Sequence, residues 1–393
     1  MSTNFTEPRH DDLRARVRAF AETEVRPLLP ELEATRTVNH DLSRRIAQQG
    51  WLGVTVDEEH GGMGAGHLAK TMIIEELSRV CGAMGAMVQA SQLGVAKIIH
   101  FGDDAQRKTW LPKVASGEVL PTIAVTDPAS GGHVLGMQGT AVRDGNDYVL
   151  NGRKVFVGNS HVGDLHGVVL RTGEGSRGLT AFLVESDRPG FRLEPQQEAM
   201  GLHGFSFGEL VFDQCRIPEG NRLGEEGQGL AVAYSSSMLY GRPNLTAVSL
   251  GIHQAIVEES VRLCRERERY GKPLGQLGPV GIKLGQMQSR LMTARLTAYH
   301  AVSLLDQGLS CDAELMNAKV VNVESALDSA RTAMEIHAAT GLFTNCPLER
   351  YLRDGFHIFA PAGTSDVQWL RLGEVALGTA KGSWSEQLAE WPL

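Results

Sequence analysis

Apolar and polar positions divide the chain into three stretches with different periods. From residue 7 to about 120 the apolar residues step by three to five: Leu13, Val17, Phe20, Val25 and Leu28 form one stripe of a helix that runs out near Pro30. Gly61-Gly62-Met63-Gly64 interrupts this pattern, and more thoroughly apolar helical runs follow at 72–77 and 93–101. Trp110-Leu111-Pro112 and Gly117 close the region. Between 121 and about 222 short β-rich runs alternate with turn residues, at 122–125, 139–143, 147–150, 155–157, 167–170, 179–184 and 209–212. Asp144-Gly145 and Asn151-Gly152 read as hairpin turns. After 226 the helical period returns in long segments, 250–264, 280–306, 313–341 and 367–378, whose short connections imply a bundle. The expected architecture is α+β: a helical domain over 1–120, a small antiparallel β domain over 121–225 and a four-helix bundle over 226–393.

Composition narrows the function. The chain has 393 residues, 42% of them hydrophobic and 21% charged, with a net charge of −8. No basic cluster offers a face for phosphates, so a nucleic-acid partner is not expected. Arg265-Glu266-Arg267-Glu268-Arg269 alternates in sign and reads as a mixed helix surface. No apolar run is long enough to span a bilayer, and the polar start predicts no signal peptide. The five cysteines are widely spaced and form no C-x-x-C, which predicts free thiols in a reducing, cytoplasmic setting. The histidines are scattered, so no metal is expected.

Two motifs are decoys. Gly173-Glu174-Gly175-Ser176-Arg177-Gly178 matches a dinucleotide fingerprint, and Gly204-Phe205-Ser206-Phe207-Gly208 matches a nucleophile elbow. Both chemistries need a helix next, and here a strand follows each.

Other motifs point to one family. Ala124-Val125-Thr126-Asp127-Pro128, Asp147 through Asn151-Gly152-Arg153-Lys154, Met200-Gly201, Arg216-Ile217-Pro218, Arg267 through Tyr270-Gly271, and Arg353-Asp354 followed by Gly363-Thr364-Ser365 occur in this order. Together they resemble the acyl-CoA dehydrogenase family over almost the whole chain. The resemblance implies FAD between the β domain and the bundle, and assembly as a homotetramer or homodimer. Carried onto this chain, Val125, Thr126, Gly131, Gly132, Phe156, Val157 and Gly158 would face the flavin. Arg267, Tyr270, Glu335 and Ala339 would meet the pyrophosphate side across a subunit interface, and Thr364 and Asp366 the adenosine half.

The same resemblance exposes a gap. The family's Tyr-Glu-Gly-Thr-Ser, whose Glu removes the α-proton of an acyl thioester, reads Pro361-Ala362-Gly363-Thr364-Ser365 here. Some relatives place the base on a bundle helix instead, at a position that falls around Gly241-Arg242, and no carboxylate stands there either. Gly132 and Gly158 replace bulkier residues beside the flavin, and Glu335 replaces a Gln beside the pyrophosphate. The expected function is therefore an FAD-dependent oxidoreductase of acyl thioesters or related acids by a variant route, for example a decarboxylative one. Arg242 or His203 would hold a substrate carboxylate, with a structural ion pair as the alternative role of Arg242. A flavin monooxygenase, with small residues making room for oxygen chemistry, and a non-catalytic subunit are the other readings. A carrier protein or an electron-transfer protein is an expected partner.

Overall fold

The computed structural model describes residues 5–390. Six helices open the chain: α1 (Pro8–Phe20), α2 (Leu29–Thr35), α3 (His40–Ala47), α4 (Gly66–Val80), α5 (Gly82–Phe101) and α6 (Asp104–Ala115). Local chemistry starts several of them. The Asn39 side chain accepts from the Leu42 N–H to cap α3, and Asp103 with Gln106 forms a reciprocal capping box on α6. Pro112, expected to end the helical region, lies inside α6.

The β layer follows: β1 (Pro121–Ala124), β2 (Thr140–Asp144), β3 (Asp147–Gly158), β4 (Leu165–Arg171), β5 (Leu179–Glu185), β6 (Phe191–Leu193), β7 (Phe207–Pro218) and β8 (Arg222–Leu223). The strands run β6-β7-β3-β2-β4-β5-β8, with β1 beside β4. The antiparallel expectation needs correction, because the sheet is mixed. β1 pairs β4 in parallel, Pro121 opposite Leu165, and β2 meets β4 in parallel at Thr140 and Arg171. The long excursion from 125 to 164 gives the chain room to return in the same direction, which a tight hairpin would forbid.

The Asp144-Gly145 turn is present between β2 and β3. Asn151-Gly152 is not a turn: it lies inside β3 at an irregularity in the pairing with β7. Gly152 has φ 140, and a Cβ there would meet Gly139 Cα at 2.7 Å. Its flexibility serves a close strand crossing. Both decoys are loops leading into strands, β5 after Gly178 and β7 from Phe207.

The C-terminal part holds α7 (Gly229–Ser235), α8 (Arg242–Glu266), a two-stranded ribbon β9 (Glu268–Arg269) and β10 (Lys272–Pro273), α9 (Gly278–Asp306), α10 (Asp312–His337), α11 (Leu348–Phe359), α12 (Ser365–Ala376) and α13 (Trp384–Glu390). α11 escapes the periodicity reading. Residues 338–341, read as the end of a long helix, form a 3₁₀ segment instead. A π-helical turn, Ser236–Gly241, joins α7 to α8. Pro243 has no N–H to give the preceding turn, which is a physical reason for the ladder to widen there.

The main apolar cluster runs without a break from α1 through α4 and α5 into α8, α9 and α10. α4 and α8 approach closely at Gly251, where a Cβ would meet the Glu75 carbonyl oxygen at 2.3 Å. Glu75 and Glu76 are buried there as an ion cluster. Arg295 donates to Glu75 (2.6 Å), Tyr299 donates to Glu75 (2.5 Å), and Arg14 and Arg18 donate to Glu76 (3.0 and 2.9 Å). Three helices are thereby locked in register around charges that would be costly to leave unpaired.

Candidate active site

The loop between α11 and α12 is built around a buried lysine. Lys319, 1% exposed on α10, donates to the backbone carbonyls of Phe359 (3.3 Å), Pro361 (2.5 Å) and Gly363. Gln368, fully buried at the start of α12, donates to the carbonyls of Ala362 (3.1 Å) and Gly363 (3.0 Å). Its own carbonyl oxygen accepts from Arg242 Nε at 2.8 Å. These contacts hold Ala362 in a left-handed conformation, φ 55.

Ala362 stands against Gly241, the last residue of the π turn. A Cβ built on Gly241 would lie 3.2 Å from the Ala362 Cβ and 3.7 Å from Leu93. The two positions at which the resemblance expects a base are therefore neighbours, and neither carries an ionisable side chain.

Two cations lie behind this loop. Burial lowers the Arg242 guanidinium to about 10, and burial together with the Arg242 charge lowers Lys319 to about 7. Among the described residues neither has a carboxylate within 4 Å; Arg242 meets only the Gln368 amide and the Met238 sulfur (3.1 Å). Among the described residues the expected structural ion pair of Arg242 is thus absent. The guanidinium spends its Nε on positioning Gln368, so the expectation that it grips a substrate carboxylate gains no support.

His203 belongs elsewhere. One ring nitrogen faces Glu33 (3.0 Å) and the other faces the Ala199 carbonyl (3.1 Å), so both are engaged and neither is left for a substrate. Its segment docks on α11: the Leu202 N–H donates to Asp354 at 2.5 Å. Complete burial raises the Asp354 carboxyl to about 6, against the pull of the Leu202 N–H and Arg350. A carboxyl raised above its unfolded value near 3.8 lends stability that is complete below that value and lost as the pH rises through about 6. Asp354→Asn should therefore flatten the stability profile between pH 4 and 6, removing a fall of roughly 2–3 kcal/mol, as thermal unfolding across that range would show.

On the β side, Lys154 is buried and donates to the Val125 carbonyl at 2.8 Å, fixing the exit of β1. Burial lowers its ammonium to about 8. The Thr126 carbonyl accepts from the Val155 N–H at 2.8 Å, so the half-buried Thr126 sits against β3. Asp127 accepts from Gln138 and Gly139 N–H groups on one oxygen and leaves Oδ1 buried without a partner. Gly131 and Gly132 are exposed, with open space where a Cβ would stand.

Phe156 is 63% exposed, at φ 57, and stacks on Phe207 with ring centres 5.7 Å apart. An aromatic face held in the open suits a planar aromatic cofactor. Two of the expected flavin neighbours offer backbone alone. The Val157 side chain is buried in the β-layer core and presents only backbone. Gly158 leaves no empty space, because a Cβ there would meet Ala90 and Phe205, each at 3.0 Å.

The expected pyrophosphate set is spread over the bundle surface. Tyr270 is 90% exposed at the tip of the β9–β10 ribbon, with Arg267 half-buried at its base. Ala339 and Asp366 are exposed, and Thr364 is the N-cap residue of α12. Glu335 turns to solvent and pairs with Lys283 at 2.6 Å, which lowers its pKa. Ala338 takes φ 51 and ψ −136, a region that glycine occupies cheaply and alanine does not. Ala338→Gly should stabilise the protein by about 1 kcal/mol and raise its melting temperature by about 1–2 °C, measurable by calorimetry.

Lys319 and Gln368 are the functional residues the sequence reading misses. A signal exists: Lys319 falls between Leu315 and Val323 at i±4 spacing, on the apolar stripe of α10, where a solvent-facing lysine has no place.

Comparison with known proteins agrees with this geometry. Residues 7–118, 122–215 and 227–377 match the N-terminal, middle and C-terminal domains of acyl-CoA dehydrogenase. An acyl-CoA dehydrogenase of Bacillus subtilis (strain 168) is 32% identical over 93% of this chain and 97% of its own. Butyryl-CoA dehydrogenase from Megasphaera elsdenii superposes with a TM-score of 0.93 at 28% identity, covering 96% of this chain and all of that one. An FAD complex of PigA superposes at 0.90 with 25% identity, covering 96% and 100%. FAD is the cofactor of this family, and the exposed Phe156 wall and open 131–132 loop fit it. The chain belongs to the acyl-CoA dehydrogenase family of flavoprotein oxidoreductases.

Proposed function

We infer that the chain is an FAD-linked oxidoreductase of an acyl thioester or related acid that uses no side-chain base at the α-carbon. The observation that carries this is the pairing of Gly241 with Ala362. Bound FAD would supply a hydride acceptor. Phe156 and the Val125–Thr126 edge would hold its ring system, with Gly131 and Gly132 clearing an approach. Tyr270, exposed at the ribbon tip, and half-buried Arg267 at its base would reach FAD of a second copy; exposed Leu342, Phe343, Trp369 and Leu370 are surfaces such a copy would cover.

The chain's own residues would act on charge rather than on a proton. Arg242 and Lys319 set a positive potential behind the Ala362 loop, and the Ala362 N–H is available to a thioester oxygen. Such a site would favour a substrate whose α-carbon gains its electron pair by losing CO₂. The bond to the carboxylate would break and release CO₂, and the pair left on the α-carbon would form the α,β double bond as a β-hydride passes to the flavin acceptor. The monooxygenase reading loses part of its support, since Phe205 and Ala90 fill the space beside Gly158. A carrier protein or electron-transfer protein remains the proposed partner.

The test is the visible spectrum of the purified protein with and without added FAD. Bound oxidised flavin, bleached anaerobically by an α-alkylmalonyl thioester that carries β-hydrogens, is the expected result. A protein that stays colourless in excess FAD would instead be a subunit that depends on a partner for its chemistry.

A further inference from the structure

A second constellation lies away from the Ala362 loop, where no ligand spacing in the sequence announces one. The fold brings together Glu259 on α8, His337 at the end of α10, and Cys346 in the segment before α11. One ligand atom of each lies within 4.8 Å of the other two. They border a cavity of about 270 Å³ that Thr340, Phe343 and Asn345 also line.

The histidine is the decisive member. It is 1% exposed, and its Nδ1 sits 2.9 Å from the Ala333 carbonyl. A carbonyl only accepts, so Nδ1 carries the hydrogen and, in the neutral ring, Nε2 offers its lone pair to the cavity. Nε2 is buried without a hydrogen-bond partner and faces the Glu259 carboxylate at 3.8 Å. Nε2 facing a carboxylate calls for a positive centre between them, either the ring's own proton or a bound cation. The Cys346 sulfur, half-exposed, adds a soft donor on the cavity side. Arg262 donates to both Glu259 oxygens (3.0 and 2.5 Å), which fixes the carboxylate from behind, and each oxygen retains a further lone pair.

We propose that Glu259, His337 and Cys346 form a binding site for a divalent metal of the zinc class, with a water or Asn345 completing the sphere. The mixed O, N and S set suits zinc, and its ligand atoms stand about 3.3–3.8 Å apart in tetrahedral geometry, close to the His337–Glu259 separation. The bound ion ties α8, α10 and the approach to α11 together.

The test uses the full chain, reduced and stripped with a chelator, titrated with Co²⁺ and then Zn²⁺. One equivalent of Co²⁺ should bind per chain with a thiolate-to-metal absorption band in the near ultraviolet, and Zn²⁺ should displace it. Cys346→Ser, at a half-exposed site that tolerates the change, should abolish the band and weaken Zn²⁺ binding at least tenfold by calorimetry. Glu259→Gln should weaken binding while keeping the band. Zn²⁺ should raise the thermal midpoint of the unaltered chain and not that of Cys346→Ser. Absence of a thiolate band, or equal binding and equal midpoint shifts in Cys346→Ser, would overturn the site and leave a protonated His337 as the positive centre.

Discussion

Ala362→Glu, loaded with FAD, should oxidise a simple saturated acyl-CoA at least about 10²-fold faster than the unaltered chain, since a well-placed general base contributes roughly 10²–10⁴ in rate. The backbone at 362 already holds a non-glycine residue at φ 55, so a Glu meets no strain that Ala does not. Gly241 opposite has no side chain, which leaves room for the carboxylate. Leu93 nearby favours its neutral form, while Arg242 and Lys319 favour the ionised form that can take a proton. Gly241→Glu should gain less, because its Cβ would stand only 3.2 Å from the Ala362 Cβ and the loop would have to shift. The readout is anaerobic flavin bleaching by stopped flow. No gain in either variant would mean that positions 241 and 362 do not face the α-carbon.

Lys319→Met should damage the site far more than the fold. Methionine leaves the carbonyls of Phe359, Pro361 and Gly363 without their shared donor, at roughly 1 kcal/mol or more each. Removing a buried ammonium returns a comparable amount, as its lowering to about 7 indicates. The net change in global stability should stay within about 2 kcal/mol. The loop, however, loses its anchor, and a misplacement of about 1 Å at a reacting centre costs on the order of 10² in rate. Introduced into the Ala362→Glu background, Lys319→Met should erase most of the gained activity. Amide hydrogen exchange across residues 359–363 should quicken while that of α8 and α10 stays unchanged. A double variant as fast as Ala362→Glu alone would show that Lys319 does not organise the loop.

The three-part order of the chain was legible because its hydrophobic period changes twice, and the long stripes of α9 and α10 leave little choice of structure. Local turn chemistry was less dependable. Asp144-Gly145 turns the chain, whereas Asn151-Gly152 serves a close crossing inside β3, and only the partner strand distinguishes them. Side-chain roles depended on what tertiary contacts supply. Gly158 looked like cleared space, but Phe205 and Ala90 fill it from distant parts of the chain. Glu335 has its partner in Lys283, 52 residues away, which its own segment does not reveal. Arg242 reads as an anion grip or an ion-pair partner, and Gln368 takes its Nε instead. Glu259, His337 and Cys346 converge from three elements, so no linear spacing could announce them.

If no side chain of this protein removes a proton from the α-carbon, the FAD-loaded protein incubated with a saturated acyl-CoA in deuterated water should exchange α-hydrogen, followed by mass spectrometry, no faster than buffer alone. Ala362→Glu should exchange it clearly. Rapid α-exchange by the unaltered chain would contradict that premise.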